Sequence, residues 1–111
     1  MMTLPTIKAD LFRALAHPLR IRLLELLCLG EQNVQALQQQ LDADQPVVSQ
    51  ALAALRAQEL VVTRRVGAQT FYRLRDRRVA DLLRVARELL SSRLTANRSI
   101  LRQLDRERRR A

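Results

Sequence analysis

The chain has 111 residues, room for one domain and none for a large multidomain enzyme. Apolar residues make up 48% and charged residues 28%, with 2 Gly and 3 Pro, which excludes a disordered chain; aromatics at 3% predict a Leu, Val and Ala core of the kind that helices pack most readily. The net charge of +9 is carried almost wholly by arginine, Lys8 being the one lysine, and favours a polyanion, nucleic acid or an acidic membrane surface.

That charge is localised. Residues 1–55 hold Lys8, Arg13, Arg20 and Arg22 against Asp10, Glu25, Glu31, Asp42 and Asp44, a net −1, which leaves +10 on residues 56–111. The longest apolar stretch, Leu23 to Leu29, is interrupted by Glu25 and falls far short of the ~20 residues of a membrane span. The first residues lack the basic and apolar regions of a secretory signal, so the expected location is the cytoplasm, with no membrane partner. A single cysteine forms no internal disulfide and no thiolate cluster.

Taken in chain order, Ile7, Leu11 and Leu15 recur at a spacing of four and predict an amphipathic helix over about 6–16. His17-Pro18 ends it, and proline suits the first turn of a second helix running from Pro18 to about Leu29, with Gly30 as its cap. That helix is so apolar that it is expected to be surrounded by protein, with Cys28 as a small buried hydrophobe. Asn33 can cap a short third helix over 34–41, and after Asp42-Ala43-Asp44 the side chain of Asp44 can cap a fourth over 45–58. In that helix Val48, Ala51, Leu52 and Leu55 are expected to point inward. Gln45, Val47, Ser49, Gln50, Ala53 and Arg56 are left as an outward face of small and amide side chains.

Beyond Leu60 the period falls to two. Residues 61–66 and 69–74 flank Gly67-Ala68 and predict a β-hairpin, with Arg64, Arg65 and Gln69 near its tip. From Asp76 a helical period returns and persists to about 108, ending in a heptad-like seam through Leu94, Asn97, Leu101 and Leu104. An unbroken helix over 76–104 is about 43 Å long, more than so small a domain can cover, so part of it is expected to pack on another chain.

A short helix, a three-residue turn, a second helix and a basic-tipped hairpin follow the order of a winged helix-turn-helix. The predicted fold is mainly α, a single domain over 1–111 with five helices and a hairpin wing: the helix-turn-helix over about 34–58, the wing over about 61–74 and a C-terminal dimerisation helix over about 76–108. A helix fits the major groove of B-DNA, where short polar side chains can approach base edges. Gln45 and Gln50 suit adenine, Ser49 a base or a phosphate, and Val47 a thymine methyl. Arg56, Arg64, Arg65 and Gln69 are expected to serve backbone affinity more than sequence choice. No Gly-rich phosphate loop, Ser/His/Asp arrangement or second histidine is present, so catalysis is not expected. Two rival readings are an architectural nucleic-acid-binding protein that reads no sequence, and an interaction protein using its long last helix.

Leu15-Ala16-His17-Pro18-Leu19-Arg20-Ile21-Arg22-Leu23-Leu24 resembles the opening signature of the ArsR/SmtB-type bacterial repressors. Gln45-Pro46-Val47-Val48-Ser49-Gln50-Ala51-Leu52-Ala53-Ala54-Leu55-Arg56 resembles their recognition helix, and Arg64-Arg65-Val66-Gly67 with Phe71-Tyr72-Arg73-Leu74 is similar to their wing. The resemblance covers about 8–80. It implies a homodimer joined through the first and last helices, here Leu11, Leu15, Leu82, Leu83, Ala86, Leu89, Leu90 and Leu94. It further implies an inverted-repeat operator in double-stranded DNA, and repression relieved by an effector, often a metal ion.

Departures are specific. Asp42 and Glu59 stand where the family has glycine; Asp tolerates a left-handed backbone, whereas Glu pays about 1–2 kcal/mol there, so a different ending is expected for the fourth helix. The family's thiolate site near the third helix is replaced by Asn33-Val34-Gln35-Ala36-Leu37, and residues 76–111 hold no histidine for its other metal site. Neither family metal site can form. Nickel or zinc would have to use His17, Asp10, Glu25 and Cys28, and a small effector or a partner protein stays open.

Overall fold

The computed structural model describes residues 2–110, in the order α1 (Leu4–Leu15), α2 (Pro18–Leu27), β1 (Gln32–Asn33), α3 (Val34–Leu41), α4 (Gln45–Ala57), β2 (Val61–Val66), β3 (Gln69–Leu74) and α5 (Arg77–Arg110). The chain divides into two compact units, one reaching to Ala80 and the other from Asp81.

In the first unit α4 is central, packing against α1, α2, α3 and β2. The core is aliphatic: Leu23, Leu24, Leu37, Val48, Leu52, Leu55 and Val61 are fully buried, joined by Ala14, Leu26, Leu27, Ala51, Leu60 and Val79. Among the described residues no polar or charged side chain is buried. Burying each large aliphatic side chain contributes about 1.5–3 kcal/mol, so the α4 face alone is a major source of stability.

Helix boundaries follow their caps. α1 begins two residues before the periodicity predicts, because the Thr3 hydroxyl accepts the Thr6 amide at 3.3 Å and Pro5 fits the first turn. α2 stops at Leu27, short of the expected Leu29. Its end is tightened by bonds three residues back, from Leu29 to the Leu26 carbonyl and from Gly30 to that of Leu27. It is also less enclosed than predicted: Leu23, Leu24, Leu26 and Leu27 face inward, while Ile21 and Cys28 are exposed and Leu29 is 81% exposed. Its inner stripe alone meets α4, α1 and α3, so the remaining apolar residues face outward.

Strand β1, two residues long and without a periodic signal, is new relative to the sequence reading. It pairs with β3 through Gln32 with Tyr72 and Asn33 with Phe71, giving an antiparallel sheet ordered β1-β3-β2. Gln32 Nε2 also donates to the Leu26 carbonyl at 3.0 Å, satisfying the end of α2. Val66 and Gln69 pair at the end of the hairpin, and Gly67 at φ +60° supplies the left-handed residue of the two-residue turn.

α5 runs 34 residues, about 50 Å. Asp76 caps it, its Oδ1 accepting the Arg78 amide at 2.8 Å. No helix of the described residues is long and apolar enough to cross a membrane.

Candidate nucleic-acid interface

α3 ends at Leu41 and Asp42 adopts φ +50°, ψ +48°, so aspartate takes the left-handed position the turn requires. Asn33 caps α3 through a 2.8 Å bond from the Ala36 amide. Asp44 occupies the corresponding place before α4 but makes no side-chain cap bond, contrary to the sequence reading. Its backbone carbonyl instead accepts the Val47 and Val48 amides, both at 3.1 Å.

The two faces of α4 separate as the spacing predicts. Val48, Ala51, Leu52 and Leu55 are buried, while Gln45, Val47, Ser49, Gln50, Ala53 and Arg56 are exposed. Gln45 and Ser49 stand one turn apart toward the N-terminal end, with Gln50 beside them and Arg56 in the last turn. Amide and hydroxyl groups therefore project from a helix whose opposite side is clamped by the core. That combination fixes the backbone from which these donors and acceptors project, while their side chains stay open to solvent.

The end of α4 differs from the expectation. Glu59 adopts φ +56°, its amide donates to the Arg56 carbonyl at 2.9 Å, and the Leu60 amide donates to that of Leu55 at 3.0 Å. This is a Schellman cap with glutamate in the glycine place. The strain is tolerated because the cap carries Leu60 into the core beside Leu55 and leads directly into β2. Glu59 further pairs with Arg75 at 2.9 Å.

The wing residues do not act as one group. Alternation along β2 sets Arg64 and Arg65 on opposite faces of the hairpin. Arg65 shares its face with the buried Val61 and donates to the Gly67 carbonyl at 3.4 Å. Arg64 lies across from Phe71, its Cζ 5.6 Å from the ring centroid, and ion-pairs with Glu31. The Arg64 hydrogen bonds hold the Glu31 carboxyl below its ordinary range, and Arg73 adds a smaller pull. Gln69 is exposed and accepts from Asn33 Nδ2 at 3.4 Å. Glu31 and Arg73 were not singled out from the sequence; the pairing of β1 with β3 is the signal that places Glu31 beside the wing.

Of the residues expected to join two copies, Leu11, Leu15, Leu82 and Leu83 are half-buried, and Ala86, Leu89, Leu90 and Leu94 are exposed, Leu89 by 69%. The weak metal candidates do not converge. His17 and Cys28 lie at opposite ends of α2, about 16 Å apart along its axis, too far to share an ion. Asp10 is engaged by Arg13, and Cys28 is exposed rather than the buried hydrophobe expected. Among the described residues no three His, Cys, Asp or Glu side chains gather as a metal site.

Residues 17–63 match the family described as "Bacterial regulatory protein, arsR family". The biofilm growth-associated repressor of Xylella fastidiosa is 43% identical over 75 residues, a match spanning 68% of this chain and 66% of that one. The HTH-type transcriptional regulator Rv0081 of Mycobacterium tuberculosis is 36% identical over 99 residues, 88% of this chain and 87% of that protein. Its crystal structure superposes with a TM-score of 0.82, covering 87% of this chain and 98% of that one. The homodimeric winged helix-turn-helix DNA-binding domain of a Mycobacterium bovis protein gives a TM-score of 0.75 at 31% identity, covering 79% and 82% of the two chains.

Proposed function

The chain belongs to the arsR family of bacterial regulatory proteins, and from that premise we propose that it is a sequence-specific DNA-binding transcriptional repressor acting in the cytoplasm as a homodimer. The outward face of α4 carries this reading: Gln45, Val47, Ser49 and Gln50 are exposed on a helix whose other side is locked into the core. In a dimer two such helices enter successive major grooves about 34–36 Å apart and read an inverted repeat. Arg56, Arg65 and Gln69 hold the phosphate backbone beside them, and the apolar side chains of α1 and α5 join the two copies.

Selection from random duplexes, followed by binding titrations, tests the proposal. The Gln50→Ala substitution is expected to weaken the selected operator by about 1–3 kcal/mol while changing affinity for random duplex little. Equal losses on both duplexes would instead favour an architectural protein. Light scattering should report twice 12.8 kDa, and a monomer at every concentration would overturn the two-half-site arrangement. A metal response is tested by adding nickel or zinc during operator binding: release of the duplex supports it, and unchanged binding overturns it.

A further inference from the structure

One face of the wing carries an acid among its bases. Arg64 reaches over the central strand β3, stacks above Phe71, and donates Nε to both Glu31 carboxylate oxygens at 3.2 Å and Nη2 to Oε1 at 2.5 Å. Arg73, two residues from Phe71, stands on the same face of the sheet. One whole edge of the guanidinium is therefore given to a carboxylate, in the two-pronged geometry by which arginine also grips a phosphate. The pair is open to solvent, Arg64 at 59% and Glu31 at 23% side-chain exposure, so water screens it and exchange for another anion is cheap.

Resting on the DNA-binding reading above, we propose that Glu31 is an internal competitor for the DNA backbone: its carboxylate occupies on Arg64 the place a phosphate takes, and duplex binding displaces it. Glu31 thereby lowers the wing's affinity for any duplex and leaves the discrimination by α4 untouched. Two features separate competition from simple positioning. The Phe71 ring gives Arg64 a second contact besides Glu31. A glutamine at position 31 keeps a carbonyl oxygen for the guanidinium while removing the charge.

The test is Glu31→Gln in the full-length protein, titrated on operator and on random duplex between about 50 and 200 mM salt. Tighter binding to both duplexes is expected, with the salt dependence steeper by about one phosphate contact per protomer, two per dimer, so that the gain is about tenfold larger at the low-salt end. In an Arg64→Gln background the gain should disappear. Unchanged or weaker binding by Glu31→Gln, with the wild type still binding operator, would overturn the proposal and make Glu31 a positioning residue for Arg64. A gain that persists without Arg64 would overturn it equally, as a field effect on the whole surface. A wild type that binds no duplex would sink the DNA reading itself, and this proposal with it.

Discussion

The two units stabilise their helices by different means. Up to Ala80 each helix and the sheet lie on a shared aliphatic core, and the exposed polar side chains of α4 project from backbone that the core immobilises. From Asp81 the chain is one helix whose Val85, Leu89, Leu90, Leu94, Ile100, Leu101 and Leu104 are all exposed. Local ion pairs such as Arg84 with Glu88 at 3.0 Å give it only slight support of its own. The contrast teaches that the first unit buries its own apolar side chains, whereas the second leaves its apolar side uncovered by its own chain.

The largest expected effect sharpens that contrast. Leu52→Ala in the fully buried face of α4 should cost about 2–5 kcal/mol at every protein concentration, read by denaturant titration. Leu94→Asp on α5 should lower the melting temperature only at concentrations where the wild type is dimeric. A Leu94→Asp loss that ignores concentration would break the comparison. A smaller effect is expected at the end of α4: Glu59→Gly relieves the left-handed glutamate and should raise stability by about 1 kcal/mol, whereas a loss would mean that the ion pair with Arg75 outweighs the strain.

The smallest concerns acid. The Arg78 side chain and then its backbone amide hold the Asp76 carboxyl at about 2, against an ordinary value of 3.8. A depressed carboxyl stabilises the fold fully above the ordinary value and stops doing so as pH falls through about 2. Asp76→Asn should therefore melt earlier than wild type at neutral pH, and the two curves should converge near pH 2. A constant gap across that range would mean that titration of the Asp76 carboxyl contributes nothing to the difference.

What the sequence made legible is what periodicity and punctuation encode. The buried set Val48, Ala51, Leu52 and Leu55, the hairpin about Gly67, and Asn33 as a cap all follow from local spacing and local chemistry. What escaped is non-local. Strand β1 exists because β3 lies beside it, and Arg64 meets a carboxylate 33 residues earlier in the chain, a distance no window spans. Glu59 illustrates a third kind of miss: local propensity argued against the left-handed cap, and tertiary burial of Leu60 prevailed. Cys28 fell outside the core because it shares with Ile21 and Glu25 the face of α2 turned away from α4.

The scarcity of aromatic rings has a practical corollary. The sequence has no tryptophan and one tyrosine, Tyr72, which sits half-buried in the middle strand with Gln32 on one flank and Thr63 on the other. Native ultraviolet emission thus originates from a single place, the base of the wing. Opening of that sheet can be followed optically in the unlabelled protein while helix content is recorded by circular dichroism, so loosening of the wing and melting of the helices become separately observable.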